Sequence, residues 1–115
     1  QRGDKLASVY STWWRAKGSD TFGPIGPWIE TRLDPQNVDM SVKVNGKVVQ
    51  RDTTRNMIFD FATLISTISQ LCTLYPGDIV YSGTTGETSA MKPGDVVEVE
   101  MSGVGVLRNP VKREE

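Results

Sequence analysis

The feature that most restricts the fold of this chain is a pair of alternating segments that meet at Asn45-Gly46. Residues 40–44 alternate between apolar and polar side chains before this dipeptide, and Lys47-Val48-Val49-Gln50 follows it. A two-residue turn between antiparallel strands requires positive φ at both central positions, which asparagine and glycine accept most easily. The sequence therefore predicts a β-hairpin over residues 39–51.

A short motif built around Pro-Gly-Asp occurs twice. Tyr75-Pro76-Gly77-Asp78-Ile79-Val80 is echoed by Lys92-Pro93-Gly94-Asp95-Val96-Val97. Proline followed by glycine is typical of a type II turn, and each aspartate is expected to accept hydrogen bonds from nearby backbone amides. Each turn is predicted to lead into a strand. The strands expected outside the hairpin are residues 28–31, 79–83, 96–101 and 105–107.

The period of the hydrophobic residues changes between positions 57 and 74. Apolar side chains there recur three and four positions apart, at Ile58, Phe61, Leu64, Ile65, Ile68, Leu71 and Cys72. This pattern predicts an amphipathic helix that covers a sheet with one buried face. Asn56 is the expected cap, Asp60 is expected in the first turn, and Cys72 is expected to be a buried structural thiol.

These elements indicate an α+β fold, a mostly antiparallel β-roll or sandwich with one main amphipathic helix. No βαβ unit is visible, which argues against a Rossmann fold. The 115 residues fit one small domain, spanning 1–115.

Composition narrows the classes of function. The chain has 13 Lys and Arg against 14 Asp and Glu, with no basic stripe, so a nucleic-acid partner is not expected. No apolar run reaches the length of a membrane helix, and the single cysteine permits no internal disulfide, which favours a reducing, cytoplasmic compartment. The absence of histidine excludes a Ser-His-Asp or Cys-His site and a His-ligated zinc site supplied by this chain.

Two segments could carry chemistry. Lys17 opens a loop rich in glycine and proline that runs to Pro27, where its ammonium group could hold a carboxylate or enolate oxygen. The alternative is an ordinary exposed loop lysine. Tyr81-Ser82-Gly83-Thr84-Thr85-Gly86 offers hydroxyls and amide groups to an anionic oxygen, and its alternative is a polar turn.

The acidic residues do not form a convincing metal site. A magnesium or calcium ion needs several converging carboxylate oxygens, whereas the acids here fall in turns, on strand faces and in the tail. A metal enzyme built on this chain would need ligands from outside it.

Five stretches, in their order and spacing, resemble the C-terminal domain of the fumarylacetoacetate hydrolase family. They are KGSDTFGPIGPWI at 17–29, VNGKVVQ at 44–50, MIFDFATLIS at 57–66, LYPGDIVYSGT at 74–84 and KPGDVVEVEMSGVGVLRN at 92–109. The resemblance implies a β-rich roll, a homodimer, and a divalent metal (Mg²⁺ first, Mn²⁺ or Ca²⁺ as alternatives) held by two glutamates and an aspartate. Those ligands would lie upstream of Gln1, so the chain is expected to be the C-terminal part of a catalytic domain without its metal-ligand segment.

The resemblance also implies roles for individual residues. The family's pocket lysine matches Lys17, which is the expected catalytic residue, and Lys17, Thr84 and Gln1 are the expected substrate-binding residues. Thr21 matches a position near the metal in some members. Many members read Gly-Thr-Pro where this chain reads Gly83-Thr84-Thr85-Gly86. Because that loop borders the substrate in the family, the substrate stays open.

The function implied first is metal-dependent hydrolysis or lysis of 2-oxo or 1,3-diketo acids, with carbon–carbon cleavage of the acylpyruvate or fumarylacetoacetate type. A second reading is an isomerase or decarboxylase of aromatic-compound catabolism, acting on a 2-hydroxyhepta-2,4-diene-1,7-dioate type of diacid, or an oxaloacetate tautomerase or decarboxylase. A third is a non-catalytic β-domain.

Overall fold

The computed structural model describes residues 17–86 and 88–113, and its centre is a four-stranded antiparallel sheet. The strands are β1 (Asp39–Val44), β2 (Lys47–Thr53), β3 (Val96–Met101) and β4 (Gly105–Pro110), arranged in the order β2-β1-β3-β4. A 3₁₀ turn (Thr54–Asn56) follows β2, and the helix α1 (Phe61–Leu71) follows that turn. The expected α+β class is confirmed.

The predicted hairpin is present, and its tip is fixed to a distant strand. Asn45 and Gly46 have φ values of 52° and 79°, as the two-residue turn requires. The Asn45 amide group donates to the Asp95 carboxylate at 2.9 Å, and its carbonyl oxygen accepts from the Val96 backbone N–H at 2.9 Å. The hairpin turn is therefore bound to the second Pro-Gly-Asp turn, fifty residues later in the chain.

A β-bulge interrupts the pairing of β1 with β2. Val42 lies opposite Gln50 and Lys43 opposite Val48, so Val49 has no partner of its own. Beyond such an extra residue, each side chain of the strand points to the face opposite to the one it would take in an unbroken ladder.

The sheet has one apolar face and one charged face, because paired residues of antiparallel strands point to the same side. Aliphatic side chains of β1, β3 and β4 form the apolar face, namely Met40, Val42, Val44, Val97, Val99, Met101 and Leu107. On the other face, the Lys43 ammonium lies 2.9 Å from the Glu100 carboxylate, and the Arg108 guanidinium lies 3.5 Å from Glu98.

The ends of β1, β2 and β3 are held together at Val38, which is 2% exposed. The Val38 backbone N–H donates to the Thr54 hydroxyl at 2.9 Å, and the Thr54 N–H donates back to the Val38 carbonyl at 2.9 Å. The Asp39 N–H donates to the Ser102 hydroxyl at 3.0 Å. This end of the sheet is the best-buried part of the described chain.

The predicted boundaries of the helix were wrong. The helix begins at Phe61 and ends at Leu71, and Asp60 caps it by accepting a hydrogen bond from the Thr63 N–H at 2.7 Å. Asn56, the expected cap, lies in the preceding 3₁₀ turn and donates to Asp52 at 2.7 Å.

The expected burial of the helix was also wrong. None of its residues is buried, and Cys72, which follows the helix with an extended backbone (φ −146°, ψ 148°), is exposed as well. The helix therefore does not cover the sheet.

Two predicted strands, 28–31 and 79–83, are irregular segments in the structure. Both contain apolar residues that are largely exposed, including Ile29 at 90% and Ile79 at 55%. A strand needs a neighbouring strand as hydrogen-bond partner, and these segments have none within residues 17–86 and 88–113. In that same part of the chain, no helix combines the length and hydrophobicity needed to cross a membrane.

Candidate functional site

The lysine loop, residues 17–29, begins with a tight turn. The Phe22 N–H donates to the Ser19 carbonyl at 3.0 Å, and Thr21 and Gly23 adopt φ values of 67° and 74°. Positive φ is unusual for threonine, which has a branched side chain. Lys17 and Thr21 are both exposed.

The second half of this loop packs against the first residue of β4. The Trp28 ring lies so close to Gly105 that a methyl group added there would be 3.2 Å from the ring edge. Gly105 has a φ of 121°, which only glycine adopts easily. The loop is thereby fixed to the end of the sheet, even though Trp28 remains 59% exposed.

The predicted geometry of the two Pro-Gly-Asp turns is confirmed. The Asp78 N–H donates to the Tyr75 carbonyl at 3.0 Å, and the Asp78 carboxylate accepts from the Tyr75 N–H at 2.8 Å. Lys92 and Asp95 repeat both bonds at 3.0 and 2.8 Å. The segment that carries Thr84 follows the first turn in the chain.

The structure joins the two segments that the sequence singled out. The Tyr81 hydroxyl donates to the Gly23 carbonyl oxygen at 2.7 Å, linking the Thr84 segment to the lysine loop. On the other side of Thr84, the Gln50 side-chain amide donates to the Thr85 carbonyl oxygen at 2.7 Å. Thr84 is exposed between these two fixed points.

Gln50 also lines an open cleft of about 380 Å³ on the apolar face of the sheet. Residues of β1 and β3 form its floor, and Thr88, Ser89 and Met91 form its side. The loop after Thr84 therefore runs along this face.

A carboxylate close to this loop is held in its charged form. Hydrogen bonds from the Thr53 backbone and the Asn56 side chain lower the pKa of Asp52, and the Thr85 hydroxyl makes a smaller contribution in the same direction. Asp52 thus serves as an acceptor for its neighbours, which suits a structural role.

Of the site residues predicted from the sequence, Lys17, Thr21 and Thr84 lie among the described residues, whereas Gln1 lies outside them. Sequence reasoning missed Gln50, because the bulge that directs this side chain leaves no mark in the sequence. It included Tyr81 in the candidate segment, but nothing in the sequence indicated the bond to Gly23.

A divalent metal does not fit the described residues on their own. Within 17–86 and 88–113, no three Asp, Glu or Cys side chains converge on one point. Several of the described carboxylates already accept local hydrogen bonds, as Asp60 and Asp95 do. Ligands for such an ion would have to come from another segment.

Comparison with known proteins agrees with the fold and with the quoted motifs. Residues 1–112 match the family described as fumarylacetoacetate (FAA) hydrolase C-terminal. The chain is 42% identical over 115 residues to a 4-hydroxyphenylacetate degradation bifunctional isomerase/decarboxylase of Salmonella dublin, covering 97% of this chain and 27% of that protein.

Two solved structures are also similar. The 5-carboxymethyl-2-hydroxymuconate delta-isomerase of Mycobacterium smegmatis superposes with a TM-score of 0.89 at 40% identity, covering 97% of this chain and 45% of that one. The maleylpyruvate hydrolase of Sphingobium sp. SYK-6, solved in complex with manganese(II) and pyruvate, gives 0.80 at 35% identity, covering 84% and 38%.

The chain spans less than half the length of these relatives. Hydrolase, isomerase and decarboxylase activities all occur among them, and a divalent metal is present in one. Since the family match extends over almost the whole chain and the fold agrees with it, this chain belongs to the fumarylacetoacetate hydrolase family and corresponds to its C-terminal part.

Proposed function

We propose that the complete protein is a metal-dependent enzyme that acts on a 2-oxo acid, with Lys17 and Thr84 in its active site. The observation that carries this proposal is the 2.7 Å hydrogen bond from Tyr81 to Gly23, which holds the lysine loop and the Thr84 segment side by side. The relative that contains manganese(II) and pyruvate supports the class of ligand.

The two residues have separate tasks in this proposal. Carbon–carbon cleavage, decarboxylation and tautomerisation of 2-oxo acids all develop negative charge on an enolate oxygen. The Lys17 ammonium stabilises that charge, and the Thr84 hydroxyl orients the substrate. Gln1 is a further substrate contact in the proposal, and Thr21 lies near the metal.

The metal and the assembly belong to the same proposal. The ion is Mg²⁺, with Mn²⁺ or Ca²⁺ as alternatives, and its carboxylate ligands lie in a segment upstream of Gln1, so that residues 1–115 form the C-terminal part of one catalytic domain. The enzyme is a cytoplasmic homodimer. Exposed apolar residues such as Ile29, Ile58 and Leu71, each at least 85% exposed in this chain, support the presence of further covering surfaces.

The primary reaction is hydrolytic carbon–carbon cleavage of an acylpyruvate or fumarylacetoacetate type of substrate. The similarity to an isomerase and to an isomerase/decarboxylase favours a second candidate, isomerisation or decarboxylation of a hydroxylated dienoic diacid or of oxaloacetate. Analysis of the products formed from oxaloacetate, an acylpyruvate and such a diacid separates the two. If the complete protein with Mg²⁺ or Mn²⁺ converts none of them, a non-catalytic role replaces both.

Replacing the lysine tests the active site directly. In the complete protein, Lys17→Ala is expected to lower kcat by about 10²-fold or more, since a charged group acting on the transition state is lost. Lys47→Ala, which removes an exposed lysine at the start of β2, is the control and should leave kcat unchanged. Near-normal turnover by Lys17→Ala, with the same melting temperature as the control, would show that Lys17 has no catalytic role.

A further inference from the structure

We propose that Tyr81 is a positioning residue, whose hydroxyl sets the distance between the lysine loop and the Thr84 segment. This inference rests on the proposed function, because it assigns Tyr81 a task in holding Lys17 and Thr84 for the same substrate. It concerns a side chain of the candidate segment that neither the sequence motifs nor the family match assigns to any role.

The contact between Tyr81 and Gly23 is close and specific. The hydroxyl donates to the Gly23 carbonyl oxygen at 2.7 Å, across 58 residues of sequence. A methyl group added to Gly23 would lie 2.7 Å from the same hydroxyl oxygen and 3.3 Å from the ring carbon that bears it. With its φ of 74°, Gly23 is therefore suited to this position both by backbone conformation and by lack of a side chain.

Tyr81 is 64% exposed, so the burial of its ring accounts for little of its interaction with the loop. A tyrosine that only fills space would be largely covered, whereas the polar end of this one is aimed at a single backbone carbonyl. The bond therefore fixes the position of the lysine loop relative to the Thr84 segment and adds little to the hydrophobic core.

The position of Tyr81 in the chain makes this restraint useful. Its partner Gly23 comes directly after the turn that follows Lys17, and Thr84 comes three residues after Tyr81. The segment is fastened a second time just beyond Thr84, where Gln50 donates to the Thr85 carbonyl. Loss of the Tyr81 bond would free the start of the segment and leave its end attached, so the Thr84 hydroxyl would shift relative to the lysine loop.

The test uses the complete protein with Mn²⁺ and compares Tyr81→Phe with Tyr75→Phe. Tyr75 is a matched control, because it lies in the Pro-Gly-Asp turn just before the segment and is similarly exposed at 68%. Isothermal titration with pyruvate counts the competent sites, and kcat per site is measured on whichever of oxaloacetate, an acylpyruvate or the dienoic diacid the wild type converts.

Tyr81→Phe is expected to lower kcat per competent site by about 10-fold or more, since small displacements of catalytic groups have large effects. The number of pyruvate sites and the melting temperature should match those of Tyr75→Phe. If Tyr81→Phe retains the kcat per site of the control, or if its loss of activity reflects only fewer competent sites, the positioning role is refuted.

A variant on the other side of the contact tests it even if Tyr81→Phe folds poorly. Gly23→Ala should lower kcat per site, because its added methyl group would lie 2.7 Å from the Tyr81 hydroxyl oxygen and would displace it from the Gly23 carbonyl. Wild-type kcat in Gly23→Ala would overturn the proposal.

The two proposals fail in distinguishable ways. If the wild type neither binds pyruvate with Mn²⁺ nor converts any of the three substrates, the proposed function fails and the positioning role fails with it. If Lys17→Ala abolishes turnover while Tyr81→Phe and Gly23→Ala do not reduce it, the function stands and the positioning role is wrong.

Discussion

At the scale of single residues, the tip of the hairpin shows how one side chain can satisfy two demands. Asn45 accepts the positive φ of the turn, and its amide group also bridges Asp95 and Val96 at 2.9 Å each. Glycine could meet the first demand but not the second. These bonds stabilise the junction of β1, β2 and β3. The neutral bond to Val96 alone contributes about 1 kcal/mol to the free energy of unfolding.

Asp95 at this junction makes stability depend on pH. The hydrogen bond from the Lys92 backbone is the largest cause that lowers the pKa of Asp95 from its ordinary value of 3.8, and the bond from Asn45 is the second. A carboxylate with a lowered pKa in the folded state contributes stability above the unfolded-state value, and that contribution is lost as the pH falls through the folded-state value.

We therefore expect Asp95→Asn to unfold at a lower urea concentration than the wild type at pH 7. The difference should shrink as the pH falls below about 3.8, where the wild-type carboxylate becomes protonated. Urea unfolding of both proteins from pH 2.5 to 7 measures it. Curves that stay parallel over this range would show that Asp95 does not contribute in its charged form.

At the scale of secondary-structure elements, the sequence predicted those whose stabilising contacts are local. The hairpin at Asn45-Gly46 and the two Pro-Gly-Asp turns were correct, because glycine conformation and short-range hydrogen bonds determine them. The irregular segments at 28–31 and 79–83 were wrongly predicted as strands, since strand pairing depends on neighbours that local sequence does not reveal.

The helix was also predicted only in part. Its periodicity was visible, but its first residue depended on a choice between Asn56 and Asp60 as cap, four residues apart. In the candidate site, Lys17 and Thr84 stay predictions that rest on the resemblance. The bonds made by Tyr81 and Gln50 were not predicted, because they depend on long-range packing.

The cap of α1 provides a prediction at this scale. Asp60→Ala removes the acceptor of the Thr63 N–H and should lower the melting temperature by about 2–4 °C in a protein of the relatives' size. Asp60→Asn keeps a side-chain acceptor and should stay close to the wild type. Equal melting temperatures for the alanine and asparagine variants in a thermal scan would mean that the cap is not stabilising.

At the scale of the whole molecule, the described chain leaves many large apolar side chains exposed. Ile58 is 93% exposed and Ile29 is 90% exposed, and α1 has no buried residue. Large apolar side chains exposed to this extent suit a surface that another segment or another subunit covers.

If Ile58 is covered in the complete protein, a charge there should be costly. We expect Ile58→Glu to lower the melting temperature by about 4 °C or more, or to change the mass measured by light scattering, whereas Lys112→Glu at an exposed polar position should do neither. If Ile58→Glu keeps the melting temperature and the mass of the wild type, the side chain at position 58 is exposed to solvent in the complete protein.

The unpaired Val49 in β2 links the sheet to the candidate site. Counting back from the Asn45-Gly46 turn in an unbroken ladder, Gln50 would stand opposite Ser41, among the lysine and glutamate side chains. The extra residue shifts the phase of the strand by one position, so that Gln50 stands opposite Val42 and reaches the Thr85 carbonyl. A register that paired Val49 with Val42 would leave a well-formed hairpin whose Gln50 points to the charged face. The loop beyond Thr84 would then lose its tether, although every residue of the chain is unchanged.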